Sequence, residues 1–576
     1  MDDQGIERDY RRVSLGAAGL LLLLIALGWL FAPHDLPAAD NNGMARCLLM
    51  RQDLIIALIA AVATALVWLP MRRGALPSLS PRAVALATAV IVPLGGWLGA
   101  RLVFGRYDFS RDEQMVTFDA TIFAGGHLFA AIPAQLRDMA ESFNQTFILP
   151  IGNHEAWVSA YLPMNSAIRA LFLRLGDATL AAPLLVAVGA LALWRIAARL
   201  WPTSPASQIV ALLLYAGSSQ LWVTGMTAYA MSAHLGLNLL WLWLFLRDRR
   251  WSHGAAILVG FVATGLHQPL FHPLFVLPFL AWLLAEKKWR LLLAYVAAYA
   301  AIGLFWLGWP LWISAHGAAP ATAALGNVSG IGYVERLQHA VTGLHLWGIG
   351  VMAANLVRFV AWQHLLLVPL AGYGMWRCWN VDPVARALAM GLLLPVLLLL
   401  ILLPYQGHGW GYRYLHGVIG NACLLGGYGW RKLEERGRAP GLVFAAATLA
   451  SIALLVPLHA VMARRIVAPF AAVAAQRDAV PARIVIIDDR AAPFAQDLVL
   501  NRADLSNRPW ILLGHHLVPG QIAGLCRSGP IAFLGAAQLG GLAEVFDAPV
   551  PVTTPGYAAL EEAARSAGCR IVSVAP

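Results

Sequence analysis

Charge is scarce in this sequence: Asp, Glu, Lys and Arg make up 12% of its 576 residues, against 59% hydrophobic residues. So little charge cannot clothe a soluble surface of this size, and the soluble globular class is excluded. A mean hydropathy of +0.66 and 22 Trp place the chain among polytopic membrane proteins. Cysteine is scarce too. The five that occur form no CxxC and no zinc-type spacing, which excludes a metal or dithiol centre built on cysteine pairs. Cys526 and Cys569 alone share the C-terminal stretch, where an oxidising compartment would let them bond; their spacing leaves the pairing open. There is no GxGxxG and no P-loop, hence no nucleotide cradle. No repeat of 20–50 residues is present either.

What is present is a series of apolar runs. Thirteen reach or approach the roughly 17–25 residues of a membrane span. They lie near 13–32, 54–70, 83–104, 179–198, 206–223, 228–246, 254–267, 269–285, 291–313, 360–376, 385–403, 414–430 and 441–461. The seventh is short and breaks at Pro269. The net charge of +11 is distributed as topology rather than as a nucleic-acid footprint. Basic residues such as Arg8, Arg11 and Arg12, Arg72 and Arg73, Arg249 and Arg250, Lys287 and Lys288, and Arg431 and Lys432 fall in every second loop. The positive-inside rule then puts the N-terminus inside and the tail outside. The first run is too long for a signal-peptide core and lacks a clean A-x-A site, so a retained anchor is expected.

The expected architecture is mainly α: a polytopic bundle over 1–463, carrying an outer loop at 105–176, then a small α/β domain over 464–576. The tail earns that assignment by alternation. The runs RIVIID (483–488), WILLG (510–514), PIAFLG (530–535) and RIVSVAP (570–576) read as strands, and YAALEEAARSAG (557–568) as a helix. Two further outer regions are expected, a Gly/Ala-rich one at 314–345 with Asn327, Tyr333, Glu335 and His339, and the turn 404–417. The first loop reads as short amphipathic helices on the membrane, with Met115, Phe118 and Ile122 at helical spacing, as are Leu128, Ala131 and Gln135.

Asp112-Glu113 is the strongest chemical signal. Adjacent carboxylates at a bilayer edge lose hydration, and are there to be paired, to bind or to react. The structural alternative is a helix start, with Ser110 as N-cap and the acids in the first turn. Asp119, seven residues on, shares the face of Asp112 and is expected to be solvated. Asn153-His154-Glu155 reads as a polar turn. A second signal is the turn holding Gln406, His408, Trp410, Tyr412, Arg413, Tyr414 and His416, with glycines at 407, 409 and 411. An Arg with two His between apolar spans suits a phosphate emerging from the lipid. His267-Gln268-Pro269 and His272-Pro273 form a third, Pro-broken element. Asn144 and Asn327 begin glycosylation sequons.

A base and a phosphate-reading cation on one outer side suit transfer of a group from a lipid phosphate to a hydroxyl. The Asp-Glu pair in the first outer loop and the Arg413 turn resemble the GT-C superfamily of integral-membrane glycosyltransferases. That group includes protein O-mannosyltransferases and bacterial aminoarabinose transferases. The resemblance implies a bacterial inner-membrane enzyme, a hexosyl- or pentosyltransferase. It implies a polyprenyl-phosphate sugar donor, a periplasmic active site, inversion at the anomeric carbon, and a glycan, lipid or protein acceptor. By position Asp112 matches the catalytic acid, with Glu113 beside it; Arg413 matches a phosphate contact, joined by His408, His416, Tyr412, Tyr414 and His267 around the donor. The chain departs from the family in placing the acidic loop after the third span rather than the first. A divalent cation stays open as a cofactor, with Asp112, Asp119, His154 and Glu155 as its candidate ligands. The competing class is a transporter or flippase of a lipid-linked saccharide; that class carries repeats and mid-membrane charges, and the sequence shows no repeat while its ionisable residues fall mostly at the outer boundary.

Overall fold

The computed structural model describes residues 3–31, 47–66, 79–144, 147–315, 346–403, 406–437 and 439–574. Residues 316–345, with Asn327, Tyr333, Glu335 and His339, lie outside them. Among the described residues seven helices are long and apolar enough to cross a membrane: Arg8–Leu30, Leu49–Leu66, Pro81–Leu102, Ala178–Leu200, Trp289–Ser314, Pro383–Leu402 and Gly441–Ala479. Shorter apolar helices, including Pro205–Ala216, Met231–Leu246 and Phe271–Ala285, fill positions where the sequence suggested full spans. The run at 360–376 is no single span. It contains the junction between helices Leu346–Ala361 and Leu367–Cys378, where the Trp362 carbonyl accepts from Ser219 Oγ at 3.0 Å.

Local chemistry sets the helix starts. Pro81, Pro205 and Pro383 stand in first turns, where the missing N–H costs nothing. Asp382 caps the third of these helices by accepting from the N–H of Val384 at 2.8 Å. Glycine lets helices Leu367–Cys378 and Ile419–Glu434 meet backbone to backbone: a Cβ on Gly374 would lie 2.0 Å from the Leu425 carbonyl oxygen. Large apolar side chains such as Leu258, Leu304 and Leu397 project outward, as a lipid-facing surface requires.

The loop at 105–176 differs from expectation. Helix Arg111–Ala124 is not laid on a surface. It is followed by a three-stranded antiparallel sheet, β1 (Ala130–Ala131), β3 (Ala156–Ser159) and β2 (Ile148–Ile151), in that spatial order. Leu128 therefore lies in the bend before β1, Ala131 in β1 and Gln135 in a 3-10 turn, rather than in one helix. Met115, Phe118 and Ile122 are buried in a core with Ile132, Leu136 and Trp157 from this loop and Ile484, Ile486 and Leu512 from the C-terminal sheet. The apolar helix face was legible; that protein rather than lipid covers it was not.

The C-terminal strands fall where the sequence put them: β4 (Ile484–Ile487), β5 (Trp510–Leu513), β6 (Ile531–Leu534) and β7 (Ile571–Val572), with helix Pro555–Ser566 before the last. They pair in parallel in the order β5-β4-β6-β7. Val485 and Ile487 face a core with Phe470, Val473 and Leu542, while Ile484 and Ile486 face the loop core. Burial on both faces explains the uninterrupted apolar runs. Cys526 and Cys569 form a disulfide, with Cα atoms 5.3 Å apart. The expected boundary at 463/464 falls inside the helical stretch Gly441–Ala479, whose Ile466, Val467 and Phe470 already belong to the sheet's core.

Candidate active site

Helix Arg111–Ala124 begins with a capping box. Ser110 Oγ accepts from the Glu113 N–H and Glu113 Oε2 accepts from the Ser110 N–H, both at 3.3 Å. The other Glu113 oxygen accepts from the N–H of Ala228 at 3.1 Å. Glu113 is thus enclosed and spoken for by backbone donors; burial, reinforced by Asp108, raises its carboxyl to about 8. Asp112, one residue back, points the other way. Its two oxygens take the Tyr161 hydroxyl and the Arg413 guanidinium. Burial alone would raise Asp112, but Arg413, His267 and the Tyr161 hydrogen bond outweigh it and hold the carboxyl at about 2.

Arg413 comes from the turn 406–413, 301 residues from Asp112. Gly407 and Gly411 adopt φ of 63°, which only glycine takes readily. The turn is held by Gln406, which accepts from the Arg413 N–H at 2.7 Å and donates to the Gly411 carbonyl at 2.9 Å. From behind, Arg358 donates to the Gly409 carbonyl at 3.0 Å while pairing with Asp53 at 3.2 Å; all of this is fully buried. The guanidinium of Arg413 lies over Tyr414 and Tyr229, 5.1 and 5.7 Å from their ring centres.

Beside Arg413 and Tyr414 is a cleft lined by His234, Asn238, Phe271 and Met231. Its free volume is about 20 Å³, room for one water molecule. His234 lines it; His234, His267 and His416 are all buried, and both ring nitrogens of each have no hydrogen-bond partner. The His267 ring lies tilted against that of Tyr161, with centroids 4.5 Å apart. His272 is a core hydrogen-bonder, held between Asn238 and Tyr299 at 2.7 and 2.8 Å.

The structure therefore brings together Asp112, Arg413, Tyr414 and His267 from the sequence-derived set. It adds Tyr161, Tyr229, His234 and Asn238. Other members stand apart. His408 is wedged between Phe109 and Phe494, at 5.1 and 4.2 Å, and burial lowers it to about 4. The Tyr412 hydroxyl is turned toward Met352 Sδ. Asp119 is not solvated: it is buried, accepts from the Ser159 N–H and Oγ at 2.9 and 2.6 Å, and is raised by that burial to about 7. Glu155 pairs with Arg137 at 3.9 Å in the β2–β3 turn, next to His154. Among the described residues no group of three or more His, Cys, Asp or Glu side chains could hold a metal, so Asp112, Asp119, His154 and Glu155 do not assemble as ligands.

No family model and no curated protein matches the chain. Among solved structures it is similar to ArnT from Cupriavidus metallidurans bound to undecaprenyl phosphate, at 15% identity over 85% of this chain and 89% of that one, with a TM-score of 0.42. The same protein in the apo state matches at 14% identity over 73% and 85%, with a TM-score of 0.46.

Proposed function

We propose that this chain is a membrane glycosyltransferase of GT-C type. It moves a sugar from a polyprenyl-phosphate donor to a hydroxyl acceptor on the periplasmic face of a bacterial inner membrane. The observation that carries this reading is the contact between Asp112 and Arg413, with Arg413 lining a small cleft that it shares with His234, whose ring nitrogens have no partner. A cation among unused donors suits a phosphate, and a carboxylate touching that cation is placed to meet the hydroxyl that attacks beside it.

The pairing itself suggests the order of events. A carboxylate held at about 2 is a weak base. When the donor phosphate takes Arg413, Asp112 loses its main stabilising partner and becomes more basic where the acceptor arrives. The acceptor hydroxyl gives its proton to Asp112 as its oxygen bonds the anomeric carbon from the face opposite the phosphate. The bond between that carbon and the phosphate oxygen breaks, and its electron pair leaves on a phosphate that Arg413 neutralises. Tyr161 holds Asp112 in place, and Glu113 fixes the helix start.

Undecaprenyl phosphate, the ligand named for one of the ArnT structures, is the probe. Arg413→Ala should weaken its binding to the protein in nanodiscs about 10- to 100-fold, the worth of a charge-assisted contact. Asp112→Asn should bind it at least as tightly as the wild type, since Arg413 is released, yet restore no product to a deletion strain when surface glycans are examined by mass spectrometry. Full product from Asp112→Asn, or unchanged binding in Arg413→Ala, would sink the assignment.

A further inference from the structure

The residue before Asp112 is Arg111, and its surroundings are unusual for an arginine at a helix start. It is buried, and its guanidinium donates to the Val499 carbonyl at 2.8 Å and the Gln496 carbonyl at 2.7 Å, with Asp497 3.9 Å away. Gln114, one turn on, donates to the Asp497 carbonyl at 2.7 Å. Two residues of helix Arg111–Ala124 are thus tied to three backbone oxygens of a single short turn in the C-terminal chain. That turn reaches the other half of the site as well. Phe494, at φ 57°, sets its ring 4.2 Å from His408 in the Arg413 turn. Farther along the same interface, Trp157 donates to the Ala503 carbonyl at 2.7 Å.

From this geometry we infer that the turn 494–499 braces the active site, and that Arg111 is a positioning residue that sets Asp112 against Arg413. The inference rests on the function proposed above and gives the C-terminal unit a part in catalysis. The fork of a guanidinium spans two carbonyls that lie on different residues; a lysine ammonium can satisfy only one of them in the same space. Arg111→Lys therefore keeps the charge and most of the bulk while freeing the helix start to shift. A displacement of about 1 Å at a reacting group costs on the order of 100-fold in rate.

The test compares two readouts for Arg111→Lys: product in a complemented deletion strain, by mass spectrometry of surface glycans, and undecaprenyl phosphate binding in nanodiscs. The expected result is a 10- to 100-fold loss of product with binding within about 3-fold of the wild type, because Arg413 is untouched. Trp157→Phe serves as the control for general loosening of the same interface; it should lower the melting temperature and leave product intact. Should Arg111→Lys fail to fold, Gln114→Leu should show the same pattern with a smaller loss. Wild-type product from a folded Arg111→Lys, or equal product loss in Trp157→Phe, would overturn the brace. Failure of the wild type itself to restore product would instead overturn the proposed function.

Discussion

Replacing Glu113 by Gln separates the two halves of the acidic pair. Glu113 is enclosed, and burial raises its carboxyl from 4.5 to about 8. The folded protein keeps a proton there that the unfolded chain releases above pH 4.5. This group's contribution to stability is therefore complete below pH 4.5 and is lost as the pH rises toward 8. Each pH unit in that interval is worth about 1.4 kcal/mol, so the loss amounts to at most about 5 kcal/mol. Gln is neutral at every pH and keeps one oxygen, enough for the backbone N–H of Ser110 or of Ala228 but not both, a loss that is the same at every pH. Tryptophan-fluorescence melts of the detergent-solubilised protein from pH 5 to 8.5 should show Glu113→Gln gaining on the wild type as pH rises. Asp119 and Asp497, both raised to about 7 by burial, leave a residual slope in either protein, so the difference between the two curves is the measure. Product formation should persist. A folded Glu113→Gln without activity would make Glu113 a catalytic group, and superimposable pH curves would mean that it is ionised in the fold.

Two further outcomes test the scaffold. Gly374→Ala puts a methyl 2.0 Å from the Leu425 carbonyl oxygen and should destabilise by about 1–3 kcal/mol as the two helices part, read as a lower melting temperature in detergent. Cys526→Ser opens a 43-residue loop and should cost about 4 kcal/mol in a chain-entropy estimate. Its signature is faster hydrogen exchange in helix Pro519–Cys526 and β7, with helix Arg111–Ala124 unchanged.

Much of this was legible in the residues. The tail strands announced themselves because a parallel sheet covered on both faces has to be apolar throughout, as in IVII at 484–487 and WILL at 510–513. Charge distribution was enough to place Asp112 and Arg413 on one side. Other parts were hidden by the assumption that polar residues near a span are surface residues. Asp119 reads as a solvated position only while the short strand carrying Ser159 goes unseen. Tyr161 offers no pattern at all. His234 and Asn238 did carry a signal, since two polar residues one helical turn apart inside MSAHLGLNLL have to face a partner or a cavity. Asp53 and Arg358, a buried ion pair from two different helices, were missed because spans placed at 54–70 and 360–376 left both residues outside them.

The helical stretch Gly441–Ala479 joins membrane to sheet through only the short segment 480–483. Its 39 residues rise about 58 Å, of which a bilayer core takes about 30 Å. One residue inserted between 456 and 479 would lift everything beyond it by about 1.5 Å and swing it by about 100°. The carbonyls of Gln496 and Val499 would then leave Arg111, although no residue of the site had changed. The same insertion at 480–482, past the helix end, could be absorbed as slack. Sequence length within this helix is therefore under a constraint of rotational phase, and its side chains are freer to vary than their number.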